Sequence, residues 1–281
     1  MSGHIIGILH PGDMGASIGG ELVKSGHVVL WASNGRSAAT IERAEVARMT
    51  DAKDIRRVIE RADIVMSICP PHAALDLANT VAGFKGIFID MNAISPEHTR
   101  EISAIIEAGG GRCIDGGIIG ASVGRGHWTH MYLSGKGARD LVMTFQGTHI
   151  DTYVISERVG DASALKIAYA AWTKGTDALL LAVRAFARVQ GVEESLISEW
   201  RFSQSQLAGE TLSSAQKASI KGWRWVGEMA EIASSFEDVG LPAGFHSAAR
   251  DIFARSPMGI GAELNEDMLG PFLDALVSLV Q

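Results

Sequence analysis

Two glycines follow the first apolar run of the chain in a pattern that suits phosphate binding. The segment 7–15 reads GILHPGDMG and joins a strand-like run to a helix-like one. Glycine permits a tight turn and close approach to a diphosphate, and the following helix offers free N–H groups. His10 stands at the first glycine position of the dinucleotide pattern G-x-G-x-x-G. The residues predicted to contact the dinucleotide are Gly12, Asp13, Met14 and Gly15.

A polar turn after the second predicted strand bears on the choice of dinucleotide. Residues 31–37 read WASNGRS, and the next carboxylate is Glu42. NAD sites usually place an acidic residue here to bind the ribose 2′-hydroxyl. Hydroxyls, an amide and an arginine suit a 2′-phosphate instead, so the turn predicts NADP. A solvated turn is the alternative, because Ser-Asn-Gly is common in turns. The predicted contacts are Ser33, Asn34, Arg36 and Ser37.

Lys166 has the setting of a proton-transfer group. It lies in the apolar run 164–168, near the start of a predicted helix. Burial and a helix N-terminus both lower the pKa of a lysine, which would let it exchange a proton with an alcohol that NADP⁺ oxidises. Tyr169 follows one turn later and could orient substrate or donate a proton. The alternatives are a lysine that extends from a buried helix to solvent and a tyrosine that packs in the core.

The elements that would position these residues alternate between strand and helix as far as residue 158. Such alternation predicts an α/β fold with a Rossmann-type parallel sheet and helices on both faces. From 159 to 281 the β pattern ends, which predicts an all-α domain. The run 162–190 is apolar on nearly every side, so we expect it to be buried in a core or an interface. Helix breaks are predicted at Gly209, 240–244 and 256–261.

Composition limits the classes of function. Apolar residues make up 47% and charged residues 20%, a globular balance. The net charge of −7, without a basic patch, argues against nucleic acid as a partner. The histidines and cysteines do not show the spacing of a metal site, so no metal is predicted. Two cysteines in apolar runs, an N-terminus unlike a signal peptide and the lack of a long apolar stretch predict a cytoplasmic protein outside the membrane.

Four stretches make nearly the whole chain resemble the β-hydroxyacid dehydrogenase family, which includes 3-hydroxyisobutyrate and 6-phosphogluconate dehydrogenases. Residues 7–15 resemble the family's opening glycine motif, and 89–96 (IDMNAISP) resemble the segment beside the nicotinamide. Residues 114–121 (IDGGIIGA) stand at the substrate-binding segment, and 159–172 (VGDASALKIAYAAW) resemble the helix with the catalytic lysine. A later segment, 222–233, resembles a less characterised subgroup with its own helical C-terminal domain.

The resemblance implies roles for individual residues. Lys166 falls on the catalytic lysine, whereas Ile119 and Ala170 replace the family's substrate-contacting serine and second asparagine. Ile119 in place of a polar anchor, with Tyr169 and Trp172 near Lys166 on the helix, predicts a substrate with a sizeable apolar or aromatic part and not a sugar phosphate. The implied nicotinamide contacts are Cys69, Pro70, Pro71 and Asn92. The predicted substrate contacts are Ile118, Ile119, Gly120, Trp172, Trp225 and Glu228, although tryptophans more often fill a core.

The resemblance leaves three functions open. The first is hydride transfer between NADP(H) and a small hydroxy acid or alcohol, or its carbonyl form. The second is imine reduction on the same fold, and the third is a catalytically silent NADPH-binding sensor. The family also implies a homodimer, in which residues 223–225 and Glu228 would face the partner's Lys166.

Overall fold

The computed structural model describes residues 3–123 and 129–277 of the chain. The chain forms two compact units, residues 1–166 and 167–281. The strands, numbered in chain order, are β1 Ile5–Ile8, β2 Val28–Trp31, β3 Thr50–Asp51, β4 Ile64–Ser67, β5 Ile87–Asp90, β6 Arg112–Gly120, β7 Thr129–Ser134 and β8 Ile150–Ser156. The α-helices are α1 Asp13–Lys24, α2 Ala38–Val46, α3 Ile55–Arg61, α4 Ala74–Thr80, α5 Pro96–Ala108, α6 Asp161–Val189, α7 Glu193–Ser203, α8 Leu207–Asp238, α9 Gly244–Arg255 and α10 Glu266–Val277.

The first unit is built on one sheet of strand order β3-β2-β1-β4-β5-β6-β7-β8. Neighbouring strands are parallel except β6 and β7, which pair antiparallel. Consecutive residues of β2, Val29 and Leu30, belong to two different apolar clusters, as expected of a sheet that is covered on both faces. The order reverses between β1 and β4, and in such sheets ligands bind at the carboxyl ends of the strands beside this switch point.

The second unit is helical. Most of its buried apolar side chains come from α6, α8, α9 and α10 and form one cluster, which includes Leu181, Met229, Phe253 and Leu273. The two units together confirm the predicted class, a mostly parallel Rossmann-like sheet followed by a helical region.

Several details differ from the sequence-based expectations. Strand β6 continues to Gly120 because its second half pairs with β7, where the pattern predicted a strand only to Ile114. Helix α2 was not predicted. Helix α8 runs through Gly209, which sits in its first turn, where the backbone N–H has no partner within the helix in any case. The units divide after Lys166, whereas the predicted boundary follows residue 158.

Candidate active site

The turn between β1 and α1 is shaped for close approach by a ligand. A Cβ on Gly15 would collide with the carbonyl oxygen of His10, whereas a Cβ on Gly12 would meet nothing within 4 Å. Gly12 is the N-cap of α1, and its own N–H donates to the His10 carbonyl at 2.9 Å. The glycine at 15 therefore closes the turn, and the glycine at 12 leaves open space in front of the helix.

Asp13 does not cap α1. Its Oδ2 accepts a hydrogen bond of 2.6 Å from the Ser122 hydroxyl, in the segment that follows β6. The Val123 amide donates to Ser17 Oγ at 3.2 Å, which ties the same segment to α1. No side-chain cap bond is made at Gly12. The first N–H groups of α1 thus keep the orientation that favours an anion.

Arg36 extends from the turn after β2 to the end of β1. Its Nη2 donates to the Leu9 carbonyl at 3.3 Å. Within the described part of the chain, its buried Nε and the buried Nδ1 of His10 have no hydrogen-bond partner. Burial, reinforced by the Arg36 charge, lowers the pKa of His10 to about 4, so the imidazole is neutral at pH 7. Buried polar atoms without partners are rare and are consistent with a ligand that supplies them.

The other residues predicted to bind the 2′-phosphate have partners of their own. Ser37 caps α2, and its Oγ accepts from the Thr40 amide at 3.3 Å. The exposed Asn34 donates its backbone N–H to the Lys53 carbonyl. Ser33 hydrogen-bonds to the carboxylate of Asp51, whose pKa is lowered by its bonds to Lys53 although burial opposes this. Asp51 is paired with Trp31 across β2 and β3, so a carboxylate does lie beside this turn, contributed by β3.

The predicted nicotinamide contacts meet at the ends of β4 and β5. Asn92 accepts from the Cys69 amide at 2.6 Å through Oδ1 and donates to Ser67 Oγ at 2.9 Å through Nδ2. Its own N–H donates to Asp90 Oδ1 at 2.8 Å. Pro70 and Pro71 follow Cys69 and begin a single 3-10 turn. These bonds fix the Asn92 side chain rigidly at the carboxyl edge of the sheet.

Lys166 reaches the same edge from the second turn of α6. Its Nζ donates to the Met91 carbonyl at 3.4 Å, next to Asn92. Gly117 on β6 lets the helix approach, because a Cβ there would lie 2.7 Å from the Ala162 carbonyl oxygen and 3.4 Å from Lys166 Cβ. The structure thus brings the predicted lysine and asparagine together.

Asp115 on β6 holds the N-terminus of α6 in place. Its Oδ2 accepts from the amides of Gly160 and Ser163 at 2.9 and 3.0 Å and from Ser134 Oγ at 2.9 Å. Its Oδ1 accepts from Ser163 Oγ at 2.6 Å. The carboxyl group is fully buried, and burial raises its pKa against these hydrogen bonds. This fixed contact sets the position from which Lys166 extends.

The predicted substrate residues fall into three groups. Tyr169 and Trp172 are 50% and 74% exposed on α6. On β6, Ile118 packs into the apolar core, while Ile119 and Gly120 lie opposite His130 and Thr129 of β7. In the helical unit, Trp225 is buried in edge-to-face contact with Phe253, and Glu228 pairs with Lys174 and with Arg224. Because Ile118 and Trp225 fill apolar cores and Glu228 has partners in its own unit, we do not assign these three to the substrate site.

Asp90 and Asp115 were not singled out from the sequence. Each follows an apolar strand run as the dipeptide Ile-Asp, in IDMN and IDGG. A carboxylate at the carboxyl end of a buried parallel strand is the signal that could have identified them, because charged side chains are seldom fully buried without a partner.

Among the described residues, no helix is long and apolar enough to cross a membrane. Within the same residues, no group of three or more His, Cys, Asp or Glu side chains could hold a metal ion.

Comparison with known families gives two matches. Residues 5–140 match the NAD binding domain of 6-phosphogluconate dehydrogenase, and 187–256 match a domain of unknown function, DUF1932. Among curated proteins, the chain is 33% identical over 165 residues to an uncharacterised 28.5 kDa protein of Methanothermus fervidus, covering 58% of this chain and 63% of that protein. The chain also matches the zebrafish (Danio rerio) cytokine-like nuclear factor N-PAC, and the match covers 26% of that protein. The chain thus spans less than two thirds of the curated relatives it matches.

Solved structures share the fold over most of the chain. The conserved protein MTH1747, itself described as similar to 3-hydroxyacid dehydrogenases, is 26% identical with a TM-score of 0.68, covering 89% of this chain and 96% of that one. The 3-hydroxyisobutyrate dehydrogenase of Mycobacterium tuberculosis is 17% identical with a TM-score of 0.73, covering 98% and 100%. A reductive aminase from Aspergillus terreus is 16% identical with a TM-score of 0.58, covering 90% and 93%.

Proposed function

Because the chain belongs to the β-hydroxyacid dehydrogenase family, we propose that it is an NADP-dependent oxidoreductase that acts on a small hydroxy acid or alcohol and its carbonyl form. The observation that carries the proposal is the hydrogen bond of 3.4 Å from Lys166 Nζ to the carbonyl of Met91, the residue before Asn92, at the carboxyl edge of the sheet. The glycine turn with its open space lies at the same edge of the sheet, at the end of β1.

The chain's own residues supply proton transfer and orientation. A nicotinamide cofactor bound at the β1–α1 turn would supply the hydride acceptor or donor. In the oxidation, neutral Lys166 takes the hydroxyl proton as the substrate C–H hydride leaves; in the reduction, the ammonium returns that proton to the carbonyl oxygen. Asn92, held by Ser67 and Cys69, offers a fixed amide beside the reacting atoms.

Removal of the Lys166 amine tests this role directly. We expect Lys166→Ala to lower turnover by about 10²-fold or more, the usual size of a lost acid–base group. NADPH affinity should hardly change, because the proposed role concerns the substrate proton. The exposed Lys136 of the same unit provides a control, Lys136→Ala, which should keep full turnover. A Lys166→Ala enzyme with most of its activity would exclude the assignment.

The preference for NADP over NAD rests on Arg36 and His10. Two features support a phosphate ligand: among the described residues Arg36 Nε has no hydrogen-bond partner, and the turn after β2 is short of acidic groups. Asp51 lies on the neighbouring strand but is already bonded to Lys53. We expect Arg36→Ala to weaken NADPH binding by about tenfold, as for a lost hydrogen bond to a charged group, and to leave NADH binding nearly unchanged. Arg57→Ala, on the exposed face of α3, controls for the lost positive charge. Equal affinity of the wild-type protein for both cofactors would contradict the proposal.

The substrate is proposed to carry an apolar or aromatic part. Tyr169 and Trp172 are exposed on α6 beyond Lys166, and Ile119 replaces a polar anchor. A panel of hydroxy acids, aldehydes, ketones and cyclic imines, followed by NADPH absorbance at 340 nm, separates the candidates. Turnover of cyclic imines alone would favour imine reduction, which the likeness to a reductive aminase keeps open. NADPH binding without any turnover would favour a sensor. Efficient turnover of 6-phosphogluconate would contradict the apolar substrate.

The homodimer is also a proposal, supported by an exposed stripe on α6. Apolar side chains recur every seven residues along its outer surface, a spacing that suits packing against another helix. Their exposed fractions are 38%, 74%, 48% and 65% for Leu165, Trp172, Leu179 and Phe186. We expect Phe186→Glu to produce monomers in sedimentation experiments, whereas Phe202→Glu, exposed outside the stripe, should leave the dimer intact. A wild-type protein that is an active monomer would overturn this proposal. Shared sites and the cytoplasmic location stay predictions.

A further inference from the structure

A row of four buried polar side chains crosses the sheet beneath the start of α6. Its members are paired residues of four neighbouring strands: Ser67 with Asp90, Asp90 with Asp115, and Asp115 with Ser134. Paired residues of adjacent strands point to the same face, so the four side chains form one line. Each is at most 2% exposed. Such a row is unusual in the core of a sheet, because burying a polar group costs free energy unless the group is hydrogen-bonded.

Three members of the row are satisfied by hydrogen bonds. Asp115 accepts four, as described above, and Ser134 donates one of them while accepting from the Ala162 amide at 3.0 Å. Ser67 accepts from Asn92 at 2.9 Å. These bonds secure the helix N-terminus at one end of the row and the amide of Asn92 at the other.

Asp90 differs from the rest. Its Oδ1 accepts from the Asn92 amide at 2.8 Å, but its Oδ2 is buried without a hydrogen-bond partner among the described residues. A buried carboxylate oxygen in that state needs a nearby positive charge or a proton. The residue after Asp90 is Met91, whose carbonyl receives the Lys166 ammonium at 3.4 Å.

The charged and titratable groups of the described residues that interact with Asp90 are Lys166 of α6, Asp115 and Cys113 of β6, and Cys69 after β4. Lys166 attracts its negative charge, and Asp115 of β6 repels it. Burial, with the smaller repulsion from Asp115, raises the pKa of Asp90 to about 7 against the bonds from Asn92 and the attraction of Lys166. Burial, assisted by Asp90, raises the pKa of the Cys69 thiol to about 12 and also raises that of Cys113. Both thiols are therefore neutral, and Lys166 is the cation that acts on Asp90.

We propose that Asp90 is a positioning residue for Lys166, whose carboxylate holds the ammonium group at the Met91 carbonyl and sets the pH at which the lysine releases its proton. The proposal rests on the proposed function in one respect, that Lys166 is the proton donor and acceptor. When Asp90 is ionised, the ammonium form is stabilised; when Asp90 takes up a proton, the lysine loses its proton more readily. The structure thus assigns the tuning of the lysine to a side chain beneath it in the sheet.

Competitive labelling of lysines tests the proposal without cofactor or substrate. Acetic anhydride reacts with the neutral amine, so the pH dependence of Lys166 acetylation, measured by mass spectrometry, gives its titration midpoint. We expect Asp90→Asn to lower that midpoint by on the order of one pH unit, the effect of one lost opposite charge nearby. Asp76→Asn, which removes an exposed carboxylate of α4, should leave it unchanged. An unchanged midpoint in Asp90→Asn would overturn the proposal.

A variant at the other residue of the pair tests the coupling between Asp90 and Lys166 even if Asp90→Asn does not fold. Coupling between two sites is mutual, so removal of the Lys166 charge must shift the titration of Asp90 by a similar amount. Lys166 is partly exposed, and we expect Lys166→Met to fold. With carbon-13 in the aspartate carboxyl groups, the Asp90 midpoint should rise in Lys166→Met, and an unchanged midpoint would refute the coupling. Both measurements are independent of turnover. A protein that has no dehydrogenase activity but whose Asp90 and Lys166 titrations are coupled would exclude the proposed function and still support this inference.

Discussion

Helices α1 and α6 both begin against the sheet of the first unit, yet their N-termini are used in opposite ways. A glycine allows each approach, since a Cβ would strike the His10 carbonyl at Gly15 and the Ala162 carbonyl at Gly117. In front of α1, Gly12 leaves open space. In front of α6, the same position of the helix is filled by the Asp115 carboxylate, bonded to the amides of Gly160 and Ser163.

The contrast shows how one physical attraction serves both binding and architecture. Free N–H groups and the helix dipole favour an anion at either N-terminus. At α6 the anion belongs to the chain, so the start of the helix is bonded to the sheet, and Lys166 extends from that bonded end. At α1 the space remains for the phosphates of a ligand. The difference can be tested by changing the group that fills, or leaves open, each N-terminus.

The largest effect is expected from removal of the internal anion. Asp115→Ala would leave the amides of Gly160 and Ser163 buried without an acceptor, each at a cost of about 1–3 kcal/mol. We expect a loss of about 3 kcal/mol in unfolding free energy, which corresponds to a fall of roughly 6–12 °C in the thermal midpoint for a unit of this size. Thermal unfolding followed by circular dichroism measures it.

Asp115→Asn separates the hydrogen bonds from the charge. Its amide oxygen could keep the acceptor role of Oδ2, and its NH₂ could donate to Ser163 Oγ, so we expect a smaller loss than for Asp115→Ala. If Asp115→Ala were as stable as the wild-type protein, the carboxylate would not fix α6, and the contrast between the two helices would fail.

A smaller effect is expected where the N-terminus is open. Gly12 has φ −66°, which alanine adopts without strain, and its new Cβ would meet no protein atom within 4 Å. Gly12→Ala should therefore fold normally but lose about tenfold in NADPH affinity, or about 1.4 kcal/mol, because the methyl group occupies the space in front of the helix. Isothermal titration measures the affinity. Gly15→Ala, which collides with His10, should instead lose stability. Unchanged NADPH binding in Gly12→Ala would place the phosphates elsewhere.

The sequence predicted what the N-terminus of α1 is used for, but not what fills the N-terminus of α6. The open one is marked by glycines between a strand and a helix, a local pattern that is visible along the chain. The filled one depends on Asp115, which lies 45 residues before the Gly160 amide it accepts from, so its partner is set by the pairing of β6 with its neighbours. Lys166 and Asn92 were found from their motifs, but that they meet follows only from the strand order.

The same limitation explains the misplaced residues. Ile118 was expected to contact the substrate, but antiparallel pairing with Met131 makes it part of a strand, and its side chain packs in the core. Asp51 was not predicted to lie near Ser33, because it belongs to β3, a two-residue strand that is too short to show a pattern. Long-range pairing, which a local pattern does not contain, decided each case.

The smallest expected effect concerns the carboxylate that remains at the open N-terminus. Asp13 sits in the first turn of α1, where its charge gains up to about 1 kcal/mol from the helix dipole, but it would repel the phosphates of a bound dinucleotide. We expect Asp13→Asn to strengthen NADPH binding a few-fold, with a smaller gain at high salt, because screening weakens the repulsion in the wild-type protein. The partner variant Ser122→Ala removes the 2.6 Å hydrogen bond and keeps the charge, so it should not strengthen binding. Weaker NADPH binding in both Asp13→Asn and Ser122→Ala would contradict this expectation. It would mean that the bond between these two side chains, which holds the segment after β6 against α1, matters more to the site than the charge of Asp13. The open N-terminus would then resemble the filled one, with an internal carboxylate as part of its architecture.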